Sequence, residues 1–271
     1  LKHKKIKNKI KVEFNHIINK NYDLELKVNN SKKIIWFCWL QGFENMPNTV
    51  RECYNSIKKN NSNVDLNFID LNTFHNYINI PNHILNNYEK GLIGHAHFSD
   101  IIRTFLLADY GGMWIDSTIY NTEKIPDSFF DMPFYSIKRN KNGYYVSENK
   151  WSNFLLASNR VSLLFPIVKQ LFIEYTKKYN RFIDYFLMDY FIQVAYETHQ
   201  NIKDDIDTLH YNNPHCHDLI RVLNEEFNVK KLDKLKSKTI FFKLNWKESY
   251  NEEINQNPTN WARMINPNYY V

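Results

Sequence analysis

Short apolar runs alternate with amphipathic segments through the first half of the chain, and this order restricts the fold more than any other feature. Each run has the length and apolar content of a buried strand, and each segment between runs has apolar residues at helical spacing. The predicted strands lie at 32–42, 64–71 and 113–115, and the predicted helices at 48–61 and 98–110. This order predicts an α/β protein with a parallel sheet. We expect Ser99 or Asp100 to cap the second helix.

Gly111 and Gly112 stand side by side between the second helix and the third strand, in a chain with only 6 Gly among 271 residues. Glycine takes a positive φ without steric cost, so the pair predicts a tight connection from helix to strand. Asp116 then falls where the third strand ends. Ligands of parallel sheets bind beyond the carboxyl ends of the strands, so Asp116 and the segment 39–42 predict a binding site at that edge.

The second half of the chain has a different pattern. Two amphipathic helices are predicted at 162–180 and 182–200, and a strand is predicted within 233–247. No internal repeat or Gly/Ser linker divides the sequence, so we expect a single domain.

Positive charge is concentrated at the start of the chain. The net charge is +6, and six lysines precede residue 12 with no acidic residue among them. Such a segment is typical of a solvated basic arm, and it could also attract anionic lipid or an anionic acceptor. A nucleic-acid partner is not expected, because basic residues elsewhere alternate with acidic ones and no recognition motif is present.

The expected location follows from three further features. No apolar stretch approaches the roughly 18 to 20 residues that span a bilayer, and no secretory signal is visible. Cys38, Cys53 and Cys216 suit a reducing compartment better than a disulfide framework. We therefore expect a cytoplasmic protein.

Four segments resemble, in their order and spacing, those of a known family: IIWFCWLQG, HAHFSDIIRTFLLADYGGMWIDST, WSNFLLAS and DYFLMDYF. They resemble the capsular polysaccharide synthesis proteins, which are bacterial sugar transferases related to glycosyltransferase family 32. The resemblance implies a GT-A glycosyltransferase fold, with a Rossmann-like mixed sheet, flanking helices and a helical C-terminal half. It also implies transfer of a sugar from a nucleotide donor to a glycan acceptor, with retention at the anomeric carbon, in capsular or surface polysaccharide synthesis.

Within one domain, the resemblance implies a basic N-terminal arm or helix at 1–29, a nucleotide-sugar-binding part at 30–150, and acceptor-side helices with a C-terminal segment at 151–271. The implied donor is a UDP-sugar in preference to a GDP-sugar, and the implied acceptor is a lipid-linked oligosaccharide. Such an acceptor would bring the protein to the inner face of the bacterial membrane, where the basic segment would support peripheral association.

Three residues of the first half are candidate donor ligands. Trp39 lies at a strand end, where its ring is either part of the core or a stacking face for the donor base, and the resemblance favours the base. Asp100 and Arg103 lie three apart and share a helical face, which suits a simple ion pair. The resemblance instead directs both side chains into the donor pocket, where the guanidinium would hold several oxygens in fixed geometry.

The segment 116–118 stands where the resemblance implies a D-x-D motif that holds Mn²⁺ or Mg²⁺ against the donor diphosphate. Asp116 is then both a metal ligand and a catalytic residue, and Ser117 contacts the donor. Thr118 replaces the second carboxylate, and a hydroxyl is the weaker ligand, so the ion would bind less tightly or with a ligand from the C-terminal segment. The alternative is that Lys243 and Lys247 replace the ion at the leaving diphosphate.

Candidate residues of the second half surround the reacting sugar. Asn153 is either a turn residue or a polar contact to the donor sugar or acceptor. Tyr185 and Asp189 lie four apart in a predicted helix, hence on one face, and both are assigned to the donor site. A carboxylate among apolar neighbours is costly if fully buried, so Asp189 should border a cavity. We expect it to be a catalytic residue near the reacting sugar, either as a polar partner or as a stabiliser of the oxocarbenium-like centre. Lys243 and Lys247 would close over the diphosphate.

Two histidine clusters resemble metal sites only superficially. His95 and His97 have no third ligand nearby. The second cluster, His215, Cys216 and His217, has no paired spacing, and a loop that lines the acceptor side is the better interpretation of it.

Two other functions remain open. One is a toxin-like transferase that glycosylates a protein, since toxins share the D-x-x-R…G-G-x-x-x-D pattern. The other is a scaffold that kept the fold after losing the second aspartate.

Overall fold

The structure is a computed structural model that describes residues 2–20, 22, 33–140, 143 and 145–269. The helices are α1 Lys2–Glu13, α2 Asn15–Ile18, α3 Asn48–Asn60, α4 Asn82–Glu89, α5 His95–Asp109, α6 Ser128–Asp131, α7 Leu164–Lys178, α8 Leu187–Thr198, α9 Gln200–Asp207, α10 Val229–Lys236 and α11 Asn260–Ile265. The strands are β1 Ile34–Cys38, β2 Asp65–Ile69, β3 Gly112–Asp116, β4 Ile119–Asn121, β5 Tyr135–Ser136, β6 Leu155–Ser158, β7 Phe241–Lys243, β8 Glu253–Ile254 and β9 Asn257–Pro258.

A five-stranded mixed sheet in the order β2-β1-β3-β6-β5 forms the centre of the fold. β1 pairs in parallel with both β2 and β3, as the strand and helix pattern predicts. β6 runs antiparallel to β3 and β5 runs antiparallel to β6, so the prediction of a parallel sheet holds only for the first three strands. The register pairs Cys38 with Asp116, so the carboxyl ends of β1 and β3 lie at the same edge.

The Gly111–Gly112 pair makes the predicted tight connection between α5 and β3. Gly111 has φ +70° and Gly112 has φ +83°. A Cβ on Gly111 would lie 2.6 Å from the carbonyl oxygen of Ser158, and one on Gly112 would lie 2.6 Å from that of Ile34. Both conformation and space therefore require glycine, which fixes the path of the chain into the strand that ends at Asp116.

The start of α5 differs from the prediction. The helix begins at His95 after Gly94, and its amino end has no side-chain cap, so neither Ser99 nor Asp100 caps it. Phe98 is fully buried and extends the apolar face one turn upstream, which moves Asp100 into the body of the helix.

The second predicted helix of the C-terminal half is shorter than expected. The segment 162–180 contains α7, as predicted, but α8 starts only at Leu187 and leaves 182–186 outside it. The Asp184 carboxylate accepts a hydrogen bond from the backbone N–H of Phe186, which forms a local turn in place of a helical one. Tyr185 therefore does not share a helical face with Asp189, and its side chain is exposed.

The C-terminal strand lies outside the main sheet. β7 lies within the predicted segment 233–247 and pairs antiparallel with β4, with Lys243 opposite Ile119. β4 follows β3 after a turn of two residues, so this pairing carries Lys243 to the edge where β3 ends.

The basic N-terminal segment is not a solvated arm. Ile6 and Ile10 lie four apart on α1 and are buried with Phe14, and α1 packs against α8. Lys7 and Lys11 both pair with Glu197 on α8. Its apolar stripe therefore makes this segment part of the fold, although the remainder of the predicted arm, at 23–29, lies outside the described residues.

Within the described ranges, no helix is long and apolar enough to cross a membrane. Cys38, Cys53 and Cys216 are buried free thiols. The single-domain organisation and its boundaries at 29 and 150 stay predictions.

Candidate active site at the carboxyl edge of the sheet

Two adjoining cavities open where β1 and β3 end. The aspartate cavity, of about 300 Å³, is lined by Asp100, Arg103, Asp116, Arg139, Tyr145, Ser147, Trp151, Ser152, Asn153, Phe154, Tyr185, Phe186, Asp189 and Lys243. The tryptophan cavity, of about 690 Å³, is lined by Cys38, Trp39, Leu40, Gln41, His95, Ala96, Ser99, Asp116, Ser117, Thr118, Tyr185, Lys243, Leu244, Asn245, Trp246 and Lys247. Both include Asp116, Tyr185 and Lys243. The structure thus brings every sequence-predicted donor, metal and catalytic residue to one of the two cavities.

Asp116 lies between two cationic side chains at the junction of the cavities. Its Oδ1 accepts from Arg103 at 3.0 Å and from the indole N–H of Trp114 at 2.8 Å, and its Oδ2 accepts from Lys243 Nζ at 3.1 Å. Burial by itself would raise the pKa of Asp116, but Lys243 and Arg103 outweigh burial and hold the pKa below its ordinary value. The carboxylate is therefore ionised at neutral pH.

Arg103 is the most buried cation of the site, with 5% of the residue exposed. Besides Asp116 it contacts Asp100 at 3.4 Å and donates to the backbone carbonyl of Asn153. Its guanidinium lies 4.8 Å from the centre of the Trp114 ring. These contacts fix the guanidinium plane, so the i, i+3 ion pair with Asp100 is one part of a larger network.

The pKa values of the other two carboxyl groups in the aspartate cavity are shifted in the opposite direction from that of Asp116. Burial raises the pKa of Asp100 to about 7, against the opposing charge of Arg103. Burial also raises the pKa of Asp189 to about 6, although Trp151 donates to its Oδ1 at 3.0 Å and Asn153 donates to its Oδ2 at 2.6 Å. Carboxyl groups whose pKa values are pushed apart within one cavity are typical of acid–base or charge-stabilising chemistry.

Three buried polar atoms of the aspartate cavity have no hydrogen-bond partner among the described residues: Nε of Arg103, Nε of Arg139 and Oδ1 of Asn153. Buried polar groups in native proteins are almost always satisfied by protein or by water. All three residues line this cavity, so a polar ligand or water there would complete their hydrogen bonding.

The indole rings of Trp39 and Trp246 line the tryptophan cavity. Trp36 is 1% exposed and belongs to the core, whereas Trp39 is only half-buried at the cavity wall. The Trp39 ring lies 5.6 Å from that of Trp246 at an interplanar angle of 80°, and Trp246 is 43% exposed. Lys247 Nζ lies 5.6 Å from the Trp246 ring. This wall suits a flat aromatic ligand that carries negative charge.

Sequence reasoning missed several residues of the site. Trp246 lies directly beside the predicted Lys247, and its aromatic character was the available signal. Arg139 and Trp151 have no such signal, because Arg139 lies in no predicted element and Trp151 reads as an ordinary core residue. Only the packing of the loop before β6 against α8 places the Trp151 indole on Asp189.

The histidines of the two clusters contact other side chains. His95 lines the tryptophan cavity and shares a hydrogen bond of 2.7 Å with the hydroxyl of Tyr88, while His97 packs on Phe182. His215 pairs with Asp218 at 2.9 Å. Across the part of the chain that the structure describes, no group of three or more His, Cys, Asp and Glu side chains could hold a metal ion.

The residues predicted to hold the divalent cation do not fit one in this arrangement. Arg103 and Lys243 each donate a hydrogen bond to one oxygen of Asp116. The second predicted metal ligand, Thr118, is a buried residue. A divalent ion at Asp116 would lie against Lys243 and Arg103, where like charges repel. The cation therefore stays a prediction of the sequence.

The mixed sheet and its flanking helices make this an α/β protein, and its charged cavities lie at the sheet edge where proteins of this class commonly bind small molecules. A family model described as capsular polysaccharide synthesis protein matches residues 1–260. The chain belongs to this family, which confirms the family prediction made from the sequence motifs and assigns the chain to capsule synthesis. A search of curated proteins found no match. The relation to glycosyltransferase family 32 stays a prediction.

Proposed function

We propose that this protein is a retaining glycosyltransferase of GT-A fold that transfers a sugar from a nucleotide-sugar donor to a glycan acceptor in bacterial capsule synthesis. The observation that carries the proposal is the meeting of an aromatic wall, cations and three carboxyl groups at one sheet edge. These side chains come from segments as distant as Trp39 and Lys247, and their chemistry matches the parts of a nucleotide sugar.

The donor extends across both cavities in this proposal. The base stacks against Trp39 and Trp246, where each aromatic contact contributes about 1–3 kcal/mol. The diphosphate lies at the junction beside Lys243, with Ser117 and Lys247 nearby. The sugar then enters the aspartate cavity, where Asp100, Asn153 and Tyr185 provide polar contacts. A volume of about 690 Å³ for the tryptophan cavity is within the usual range for nucleotide-sized ligands.

Asp189 stabilises the positive charge that develops at the anomeric carbon. Its two oxygens are held by Trp151 and Asn153, so the carboxylate is fixed in orientation before the donor binds. A preorganised carboxylate needs no rearrangement when charge appears, and this is the main source of electrostatic catalysis.

The proposed acceptor is a lipid-linked oligosaccharide at the cytoplasmic face of the membrane. Support comes from α1, where Lys4 and Lys5 are exposed on the side away from the buried Ile6 and Ile10. Lys2, Lys7 and Lys11 are engaged in ion pairs with Asp184 or Glu197, so the surface charge available to anionic lipid is smaller than the sequence indicates. Nucleic acid is not a proposed partner.

A donor screen tests the proposal. UDP- and GDP-sugars are offered to the wild type and to Asp189→Asn, with and without Mn²⁺, and binding and donor hydrolysis are measured. We expect one UDP-sugar to bind and turn over, and the variant to bind it but lose turnover. If no nucleotide sugar binds or turns over under any condition, the transferase proposal fails and the scaffold alternative gains support. Offering both lipid-linked glycan and protein acceptors then tests the toxin-like alternative.

A further inference from the structure

We propose that Lys243 and Arg103 supply the positive charge at the donor diphosphate, and that the enzyme therefore works without a divalent cation. This inference rests on the proposed function and concerns the same site. It reverses the expectation, drawn from the D-x-D resemblance, that a metal ion carries that charge.

The first support is the charge around Asp116. One carboxylate faces two cations, at 3.0 Å from Arg103 and 3.1 Å from Lys243. Two positive side chains equal the charge of one divalent ion, and they occupy both oxygens through which Asp116 would bind such an ion. A metal bound to the Asp116 Oδ2 would share that oxygen with the Lys243 ammonium, which lies 3.1 Å from it, and the two positive charges would repel each other.

The second support is the position of Lys243. Its side chain lines both cavities, so the ammonium group lies between the aromatic wall proposed for the base and the carboxyl groups proposed for the sugar. In a nucleotide sugar the diphosphate lies between base and sugar. The cation is therefore placed where the leaving group must be.

The third support is the hydrogen-bonding capacity that Lys243 retains. An ammonium group has three N–H donors. Within the described part of the chain, its one hydrogen-bond acceptor is Asp116, and its other contact is the face of the Phe154 ring at 5.1 Å. The remaining donors are available to phosphate oxygens. Arg103 likewise has a buried Nε without a partner.

The chemical step balances with these groups alone. The bond between the anomeric carbon and the phosphate oxygen breaks, and its electron pair stays on the nucleoside diphosphate, where Lys243 donates to the oxygen that gains charge. The acceptor hydroxyl oxygen forms the new bond to the anomeric carbon, and its proton passes to the leaving phosphate. Asp116 acts as a positioning residue, because its carboxylate holds both cations at the junction before the donor arrives.

The test measures binding of UDP and GDP by calorimetry, in EDTA and in Mn²⁺, for the wild type, Lys243→Met, Lys243→Arg and Lys238→Met. Lys238 is exposed, precedes the same strand and lines neither cavity, so Lys238→Met is the matched control. Thermal melting by circular dichroism establishes that each variant is folded. Donor turnover is followed in the same two buffers.

We expect the wild type and the Lys238→Met variant to bind the diphosphate equally well in EDTA and in Mn²⁺, and to keep turnover in EDTA. Lys243→Met should weaken binding by roughly 10- to 100-fold, since it removes a charged hydrogen-bond donor. Lys243→Arg should recover most of that loss.

Two results would overturn the inference. The first rejects only metal independence, and the second also rejects the proposed transferase function. Diphosphate binding or turnover by the wild type that requires Mn²⁺ rejects metal independence while the transferase proposal stands. This comparison needs no variant, so it decides the matter even if Lys243→Met does not fold. Absence of diphosphate binding in both buffers rejects the proposed function, and the inference falls with it.

Discussion

The effect of replacing Asp189 by asparagine on the free energy of unfolding should be more favourable at pH 8 than at pH 5, by about 1 kcal/mol. Burial raises the pKa of this carboxyl from 3.8 to about 6, and 8% of the residue is exposed. The folded protein therefore holds the proton more tightly than the unfolded chain does. The stability contributed by this group is present below pH 3.8 and is lost as the pH rises through 6.

The size of the effect follows from the two pKa values. Ionising Asp189 in the folded state reduces the free energy of unfolding by about 2 kcal/mol at pH 5 and by about 3 kcal/mol at pH 8. Asparagine avoids this loss but turns an amide N–H towards Trp151 or Asn153, which costs about 1–3 kcal/mol at either pH. The constant cost cancels when the two pH values are compared, and about 1 kcal/mol remains.

Urea unfolding of the wild type and Asp189→Asn at both pH values measures this difference. Asp100 adds to the expected difference between the two pH values. The Asp189 charge is one of the groups that raise the pKa of Asp100, and the substitution removes that charge. A stability difference that stays constant between pH 5 and pH 8, or falls, would refute the assignment of Asp189 as a buried carboxylate of raised pKa. A variant that gains stability while it loses donor turnover would show that this carboxylate is kept for function.

Three further predictions concern Trp39 in the tryptophan cavity, Gly112 before β3, and the lysines of α1. Trp39→Ala should weaken UDP binding by roughly 5- to 100-fold in calorimetry, and unchanged affinity with a lower melting temperature would place the ring in a core role. Gly112→Ala should lower the free energy of unfolding by about 2–4 kcal/mol in urea, because its Cβ would combine a strained φ with a 2.6 Å approach to the Ile34 carbonyl oxygen. Exchanging Lys4 and Lys5 for glutamate should reduce binding to anionic vesicles, and wild-type binding should weaken with salt; equal binding by both proteins would contradict a membrane role.

Features that depend on local pattern were predictable from the sequence. Short apolar runs located β1 and β3, and the glycine pair located the connection between α5 and β3. Parallel pairing of β1 with β3 then placed Trp39 and Asp116 at one edge. Short-range periodicity and turn chemistry were sufficient for each of these steps.

Features that depend on pairing between distant segments were not predictable in the same way. Lys243 reaches Asp116 across 127 residues, through the register of β7 with β4, and three-residue strands carry almost no signal of their partner. Tyr185 was placed on a helix because 182–186 is as apolar as α8 itself. Periodicity alone does not show that Asp184 turns the chain just before that helix starts.

The docking of α1 has a consequence for the aspartate cavity. Lys2 pairs with Asp184 at 2.7 Å, and His3 shares a hydrogen bond of 2.6 Å with the hydroxyl of Tyr190. These two partners flank Asp189 in the sequence, so the first turn of α1 braces the stretch of chain that presents this carboxylate to the cavity. A change in the first turn of α1 would therefore act on the aspartate cavity, and proteins that differ only in this turn should differ in turnover.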